Sequence, residues 1–181
     1  ICLGEENING ILLYGVNAVG KSSLMKSIGI SIIMAQCGFY VSAKNFVYSP
    51  YYHIFTRISN NDNIFKGQST FAVEMSELNT IMRRSTNKSL ILGDELCSGT
   101  ETISATSIVA SGILRLSKLN SSFIFATHLH KLSELKIINE CRNVKHFHMK
   151  IKFDHEKGIF IYNRKLEKGS GTSIYGLEVA K

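Results

Sequence analysis

Apolar positions along this 181-residue chain follow two rhythms. Short unbroken runs, Ile11-Leu12-Leu13-Tyr14, Leu90-Ile91-Leu92 and Ser122-Phe123-Ile124-Phe125-Ala126, read as strands of a buried sheet. Other segments repeat every three or four residues and predict helices over 21–36, 71–84 (Phe71, Met75, Leu78, Ile81, Met82) and 102–118 (Ile108, Ile113, Leu114, Leu116). Apolar runs alternating with helical patterns predict an α/β domain whose sheet is wrapped by crossover helices. Residues 144–153 and 159–166 alternate around Asp154-His155-Glu156-Lys157-Gly158, a hairpin signal. No internal repeat, low-complexity stretch or linker interrupts the pattern, so residues 1–181 read as one α/β domain with one sizeable core.

Composition narrows this only slightly. Hydrophobic residues at 44% and charged residues at 19% describe a globular chain, not a disordered one. A formal charge of +7 suits a polyanion such as nucleotide or DNA, but 21 Lys and Arg solvating the surface explain it equally well. Cys2, Cys37, Cys97 and Cys141 lie far apart without a CxxC pair, which favours free thiols in a reducing, intracellular compartment over disulfides or zinc. Residues 27–43 carry no charge but are too short for a membrane span and are broken by Ser27, Ser31, Gln36 and Ser42, so they read as a buried helix. No signal peptide opens the chain. The start at Ile1, without methionine, reads as a piece of a longer protein.

Chemistry enters at Gly15-Val16-Asn17-Ala18-Val19-Gly20-Lys21-Ser22, which fits GxxxxGK[ST] between a predicted strand and a predicted helix. The glycines let the backbone curl so that N–H groups, those of Asn17, Ala18, Val19, Ser22 and Ser23 included, point at phosphate, and the next helix presents its positive end there. Lys21 would neutralise the β- and γ-phosphates and Ser22 would ligate Mg²⁺. The strand Leu90-Ile91-Leu92-Gly93 then ends in Asp94 and Glu95. Tandem carboxylates at the exit of an apolar strand suit Mg²⁺ held by Asp94 and an attacking water oriented by Glu95. His128 follows the third strand, where ligands of parallel sheets gather, and fits a γ-phosphate sensor. His130, His146 and His148 lack a third ligand at metal-site spacing, so zinc is not expected.

Strand, phosphate loop, acidic strand end and following His resemble the ATP-binding-cassette layout, and no LSGGQ-type signature precedes the acidic strand. In its place Gly67-Gln68-Ser69-Thr70-Phe71-Ala72-Val73-Glu74-Met75 closely resembles the GxSTFxxEM segment of MutS DNA mismatch-repair proteins. Gly38-Phe39-Tyr40-Val41-Ser42-Ala43, Ile54-Phe55-Thr56-Arg57, Ala126-Thr127-His128-Leu129-His130-Lys131-Leu132 and Ile174-Tyr175-Gly176-Leu177-Glu178-Val179-Ala180 are similar to further segments of that family, in the same order.

The resemblance implies an ABC-type P-loop ATPase domain that binds ATP and Mg²⁺. It implies homo- or heterodimerisation around two nucleotides, coupled to mismatched double-stranded DNA gripped by domains beyond this segment, with no membrane partner. It also implies that Ser69 reaches the partner's nucleotide in trans, that Asn17 lies beside the phosphates, and that Thr100 runs along the dimer interface. Val16 and Val19 depart from the family's loop, and Val19 would cost freedom if positive φ were required there. Ser104 stands where the family carries aspartate, and an arginine usual after the acidic pair is missing. These departures suggest a divergent branch. Two alternatives remain at this point: an SMC-type ABC head, which would need a coiled coil that the sequence lacks, and a nucleotide-dependent dimerisation module without turnover.

Overall fold

A computed structural model describes residues 1–16, 19–58, 70–154 and 159–171. In it, β1 (Gly10–Tyr14), α1 (Lys21–Gln36), β2 (His53–Arg57), α2 (Thr70–Arg84), β3 (Ser89–Asp94), α3 (Thr102–Lys118), β4 (Ser122–Thr127), α4 (Lys136–Asn139), β5 (Val144–Asp154) and β6 (Ile159–Lys168) follow one another along the chain. The strands form one six-stranded sheet in the order β2-β3-β4-β1-β5-β6. All neighbours pair in parallel except β5 and β6, the hairpin at the edge. The mixed α/β fold with a mainly parallel sheet, flanking helices and a late hairpin is the one the hydrophobic pattern predicts.

Unbroken apolar strands arise here because the sheet is covered on both faces. Leu12 and Tyr14 of β1, Ile91 of β3 and Phe123 and Phe125 of β4 pack toward α2 and α3, meeting Leu78, Ile81, Val109, Ile113 and Leu116. Their neighbours Ile11, Leu13, Leu90, Leu92 and Ile124 face the other way and meet Met25 and Ile32 of α1. Each fully buried side chain of this size contributes ~1.5–3 kcal/mol by leaving water.

One expectation needs correction, and one strand is an addition. Helix α1 is not buried all round: Lys21, Met25, Gly29 and Ile32 face the sheet, while Ile30, Ile33 and Met34 are exposed. Absence of charge was the wrong guide, because the sheet reaches only one side of the helix. Among the described residues no helix is long and apolar enough to cross a membrane. Strand β2 was not foreseen as a strand. It is a half-buried edge strand whose polar His53, Thr56 and Arg57 dilute the apolar signal of Ile54 and Phe55. Arg57 anchors it by an ion pair with Glu77 of α2, Nε to Oε2 at 3.0 Å.

Candidate functional site

Three adjacent parallel strands, β3, β4 and β1, end side by side, and the chemistry proposed from sequence collects at those ends. Tyr14, the last residue of β1, pairs with Thr127 of β4, and Asp94 of β3 pairs with Ala126. His128, the next residue after β4, therefore leaves the sheet between the loop that follows β1 and the carboxylates that follow β3. It is exposed.

Between β1 and α1 the chain turns at Gly15 (φ +149°) and Gly20 (φ +106°), a backbone that side-chain-bearing residues rarely adopt. Gly20 caps α1 in the left-handed conformation, and Lys21 is the first helical residue. Its side chain is buried and folds back into the loop, where Nζ donates to the carbonyl oxygens of Gly15 at 2.6 Å and Val16 at 3.0 Å. Burial pulls the Lys21 ammonium below the ordinary lysine value, and the negative charges of Glu95 and Asp94 oppose that shift. Glu95 Oε1 approaches Lys21 Nζ to 3.9 Å. Ser22 is half-buried and Ser23 exposed on the first turn of α1.

On the β3 side, Asp94 Oδ1 is buried without a hydrogen-bond partner among the described residues. A carboxylate oxygen left in that state is costly unless a cation or bound water completes it. Glu95 sits at φ +48° and its N–H donates to Ala126 O at 2.9 Å, which ties the start of the turn to β4. Gly93 makes this turn possible: a Cβ there would lie 2.9 Å from both Leu96 Cδ1 and Phe125 Cδ1. Thr100 N–H donates to Cys97 O at 3.3 Å, and Ser104 Oγ donates to Glu101 Oε1 at 2.8 Å within the same chain.

Thus Gly15, Gly20, Lys21, Ser22, Ser23, Asp94, Glu95 and His128 converge on one end of the sheet. Asn17, Ala18 and Ser69 lie outside the described residues, as does the segment 174–180. Val19 is fully buried, its side chain packed in the core with Met25 and Met149 beneath the loop.

Sequence reasoning missed several supports. Met149 of β5 backs the loop after β1, within 3.6 Å of where a Gly15 Cβ would lie. Tyr14 is fully buried between two imidazoles, with ring centroids 5.5 Å from His130 and 5.7 Å from His146, and its hydroxyl shares a 3.3 Å hydrogen bond with His146 Nδ1. Glu74 of α2 is buried and accepts the Cys97 N–H. Only the alternation in Lys145-His146-Phe147-His148 hinted that β5 carries site-facing side chains.

The family model for MutS domain V matches residues 11–181. This chain belongs to the MutS family. It is 47% identical over 182 residues, 99% of its length, to a mutS homolog of Acanthamoeba polyphaga mimivirus. It is 44% identical over 170 residues, 94% of its length, to the mitochondrial DNA mismatch repair protein mutS homolog of Sarcophyton glaucum. It is 41% identical over 181 residues, 98% of its length, to the DNA mismatch repair protein MutS of Clostridium kluyveri. The chain spans 16% of the first of these relatives, 17% of the second and 20% of the third. The SMC-type alternative gives way to MutS domain V.

Proposed function

We propose that this MutS domain binds ATP with Mg²⁺ and hydrolyses it, as the nucleotide switch of a mismatch-repair protein that works inside the cell. The observation that carries the reading is the cluster at the strand ends. A buried Lys21 faces Glu95 across 3.9 Å, and the unpartnered Asp94 Oδ1 lies one residue before it. Those groups are what phosphoryl transfer to water requires: positioned positive charge, a metal-holding carboxylate and a base.

In this reading the loop N–H groups and the N-terminal end of α1 receive the phosphates. Lys21 swings its charge from loop carbonyls toward the β- and γ-phosphates. Ser22 and Asp94 are the residues that would hold Mg²⁺, and the unsatisfied Asp94 oxygen fits that role. The metal's contribution is to offset charge on the phosphate oxygens. Glu95 orients the attacking water and takes its proton, and His128 contacts the γ-phosphate. Ser69 reaches the nucleotide of a partner domain, so that closure of two domains around two ATP molecules completes each site. That closure would be coupled energetically to mismatched DNA held by other parts of the protein.

The direct test is calorimetric titration with ATP and with a non-hydrolysable analogue, each with and without Mg²⁺. The reading requires binding of both nucleotides, weakened at least tenfold by Lys21→Ala. Absence of binding in the wild-type chain rejects it.

A further inference from the structure

Two residues after Glu95 the chain makes a second excursion to positive φ, at Cys97 (φ +61°). Two non-glycine residues in the left-handed region within one turn are strained and persist only where their surroundings hold them. From β4 the hold is Ala126 O, which accepts Glu95 N–H. Leu96 is buried in the α2/α3-side core, and Ser98 N–H donates to Glu95 O at 3.2 Å. A further tie comes from α2. Glu74 Oε1 accepts the Cys97 N–H at 2.8 Å, with the Glu74 side chain only 4% exposed and Cys97 fully buried. Burial, and then the charge of Glu74, push the Cys97 thiol up to about 11, so that thiol stays neutral beside the carboxylate.

A carboxylate is an expensive group to place in a core, and an apolar residue would fill the same space at lower cost. What it supplies here is a strong acceptor for an N–H that the left-handed turn removes from any strand or helix partner. We infer that Glu74 is a positioning residue, which locks the 95–98 turn through the Cys97 amide and so fixes the direction in which the Glu95 carboxylate meets water. The inference rests on the reading of Glu95 as the water-activating group. It gives α2 a part in the chemistry of the site.

The test uses the full chain carrying Glu74→Leu, an apolar replacement of similar bulk without an acceptor, and Glu74→Gln, which keeps one. Leu78→Ala on the same helix serves as a stability-matched control. Amide exchange at Cys97 and steady-state ATP turnover are measured together. Glu74→Leu should speed exchange at Cys97 at least tenfold while exchange across β3 is unchanged. It should lower kcat by about 10- to 100-fold, the worth of a charge-assisted hydrogen bond, with KM for ATP within about threefold of wild type. Glu74→Gln should restore both readouts to within about threefold, and Leu78→Ala should leave kcat near wild type. Unchanged Cys97 exchange in Glu74→Leu overturns the inference whatever the turnover. So does a fall in kcat no larger than that of Leu78→Ala, or one that Glu74→Gln fails to rescue. If Glu95→Gln itself retains full turnover, the reading of Glu95 has failed, and the inference falls with it even where the exchange data reveal the tie.

Discussion

Lys21 Nζ and Glu95 Oε1 lie 3.9 Å apart, so the lysine that opens α1 and the carboxylate beyond β3 face each other although they follow different strands of the sheet. The same ammonium is held by Gly15 O and Val16 O. On the proposed reading an incoming phosphate would compete with Glu95 for a charge that is already oriented, and its arrival would leave the carboxylate free to take a water.

This arrangement separates binding from stability at Lys21. Glu95 is one-third exposed, so water can solvate its carboxylate once the ammonium is gone, while an apolar side chain of similar length fills the buried space. Lys21→Met should therefore weaken ATP binding at least tenfold without lowering Tm, measured by calorimetric titration and thermal melting. A large drop in Tm would show that the ammonium is a structural support and not a ligand group.

The contact made at Gly93 predicts the reverse pattern. A methyl group there would lie 2.9 Å from side-chain atoms of both Leu96 and Phe125. Overpacking of this kind costs about 1–3 kcal/mol, so Gly93→Ala should lower the unfolding free energy by that amount, seen as a lower denaturation midpoint, and disturb turnover through the Glu95 turn. An unchanged midpoint would mean that the turn has more room than its packing implies.

Adjacent residues of α1 should behave differently. Ile32 is buried against the sheet, and Ile33 is half exposed on the outer side. Ile32→Ala should cost about 2–5 kcal/mol, whereas Ile33→Glu should stay within about 0.5 kcal/mol of wild type. Equal losses at the two positions would contradict the one-sided burial of α1.

Acid should destabilise the domain through its half-buried imidazoles. Burial lowers His146 below the ordinary histidine value. His130 is lowered first by burial and then by the charges of His128 and Lys21, against the opposing charge of Glu134. Above the unfolded pKa, about 6.5, both states hold neutral imidazoles and nothing changes. As pH falls through that value the unfolded chain binds protons that the folded chain refuses, and stability is lost until the folded pKa is passed. Melting curves between about pH 7.5 and 5.5 should show this decline, and His146→Gln should make it shallower. A slope untouched by that substitution would remove His146 from the explanation.

Much of this was legible in the order of residues because a parallel sheet covered on both faces writes itself as unbroken apolar runs. The runs in β1, β3 and β4 are those of the central strands, and the residues that leave their ends are the site. Strand β2 escaped notice because an edge strand needs only partial burial and tolerates His53, Thr56 and Arg57. The outer face of α1 misled for the opposite reason, since Ile30, Ile33 and Met34 are apolar yet outside the core. Lys21, Asp94 and Glu95 announced themselves through spacing along the chain. Tyr14, Met149 and Glu74 could not, because their part depends on contacts across the sheet, and a buried glutamate in a helix looks in sequence like any solvated one.

A Glu95-dependent ATPase completed by a second copy or homologous partner can be distinguished by ATP turnover per mole of chain over a wide range of protein concentration, with Glu95→Gln alongside. Specific activity should climb with concentration, and Glu95→Gln should lose at least about 100-fold while ATP binding persists. Turnover that is independent of concentration, or that survives Glu95→Gln, would contradict it.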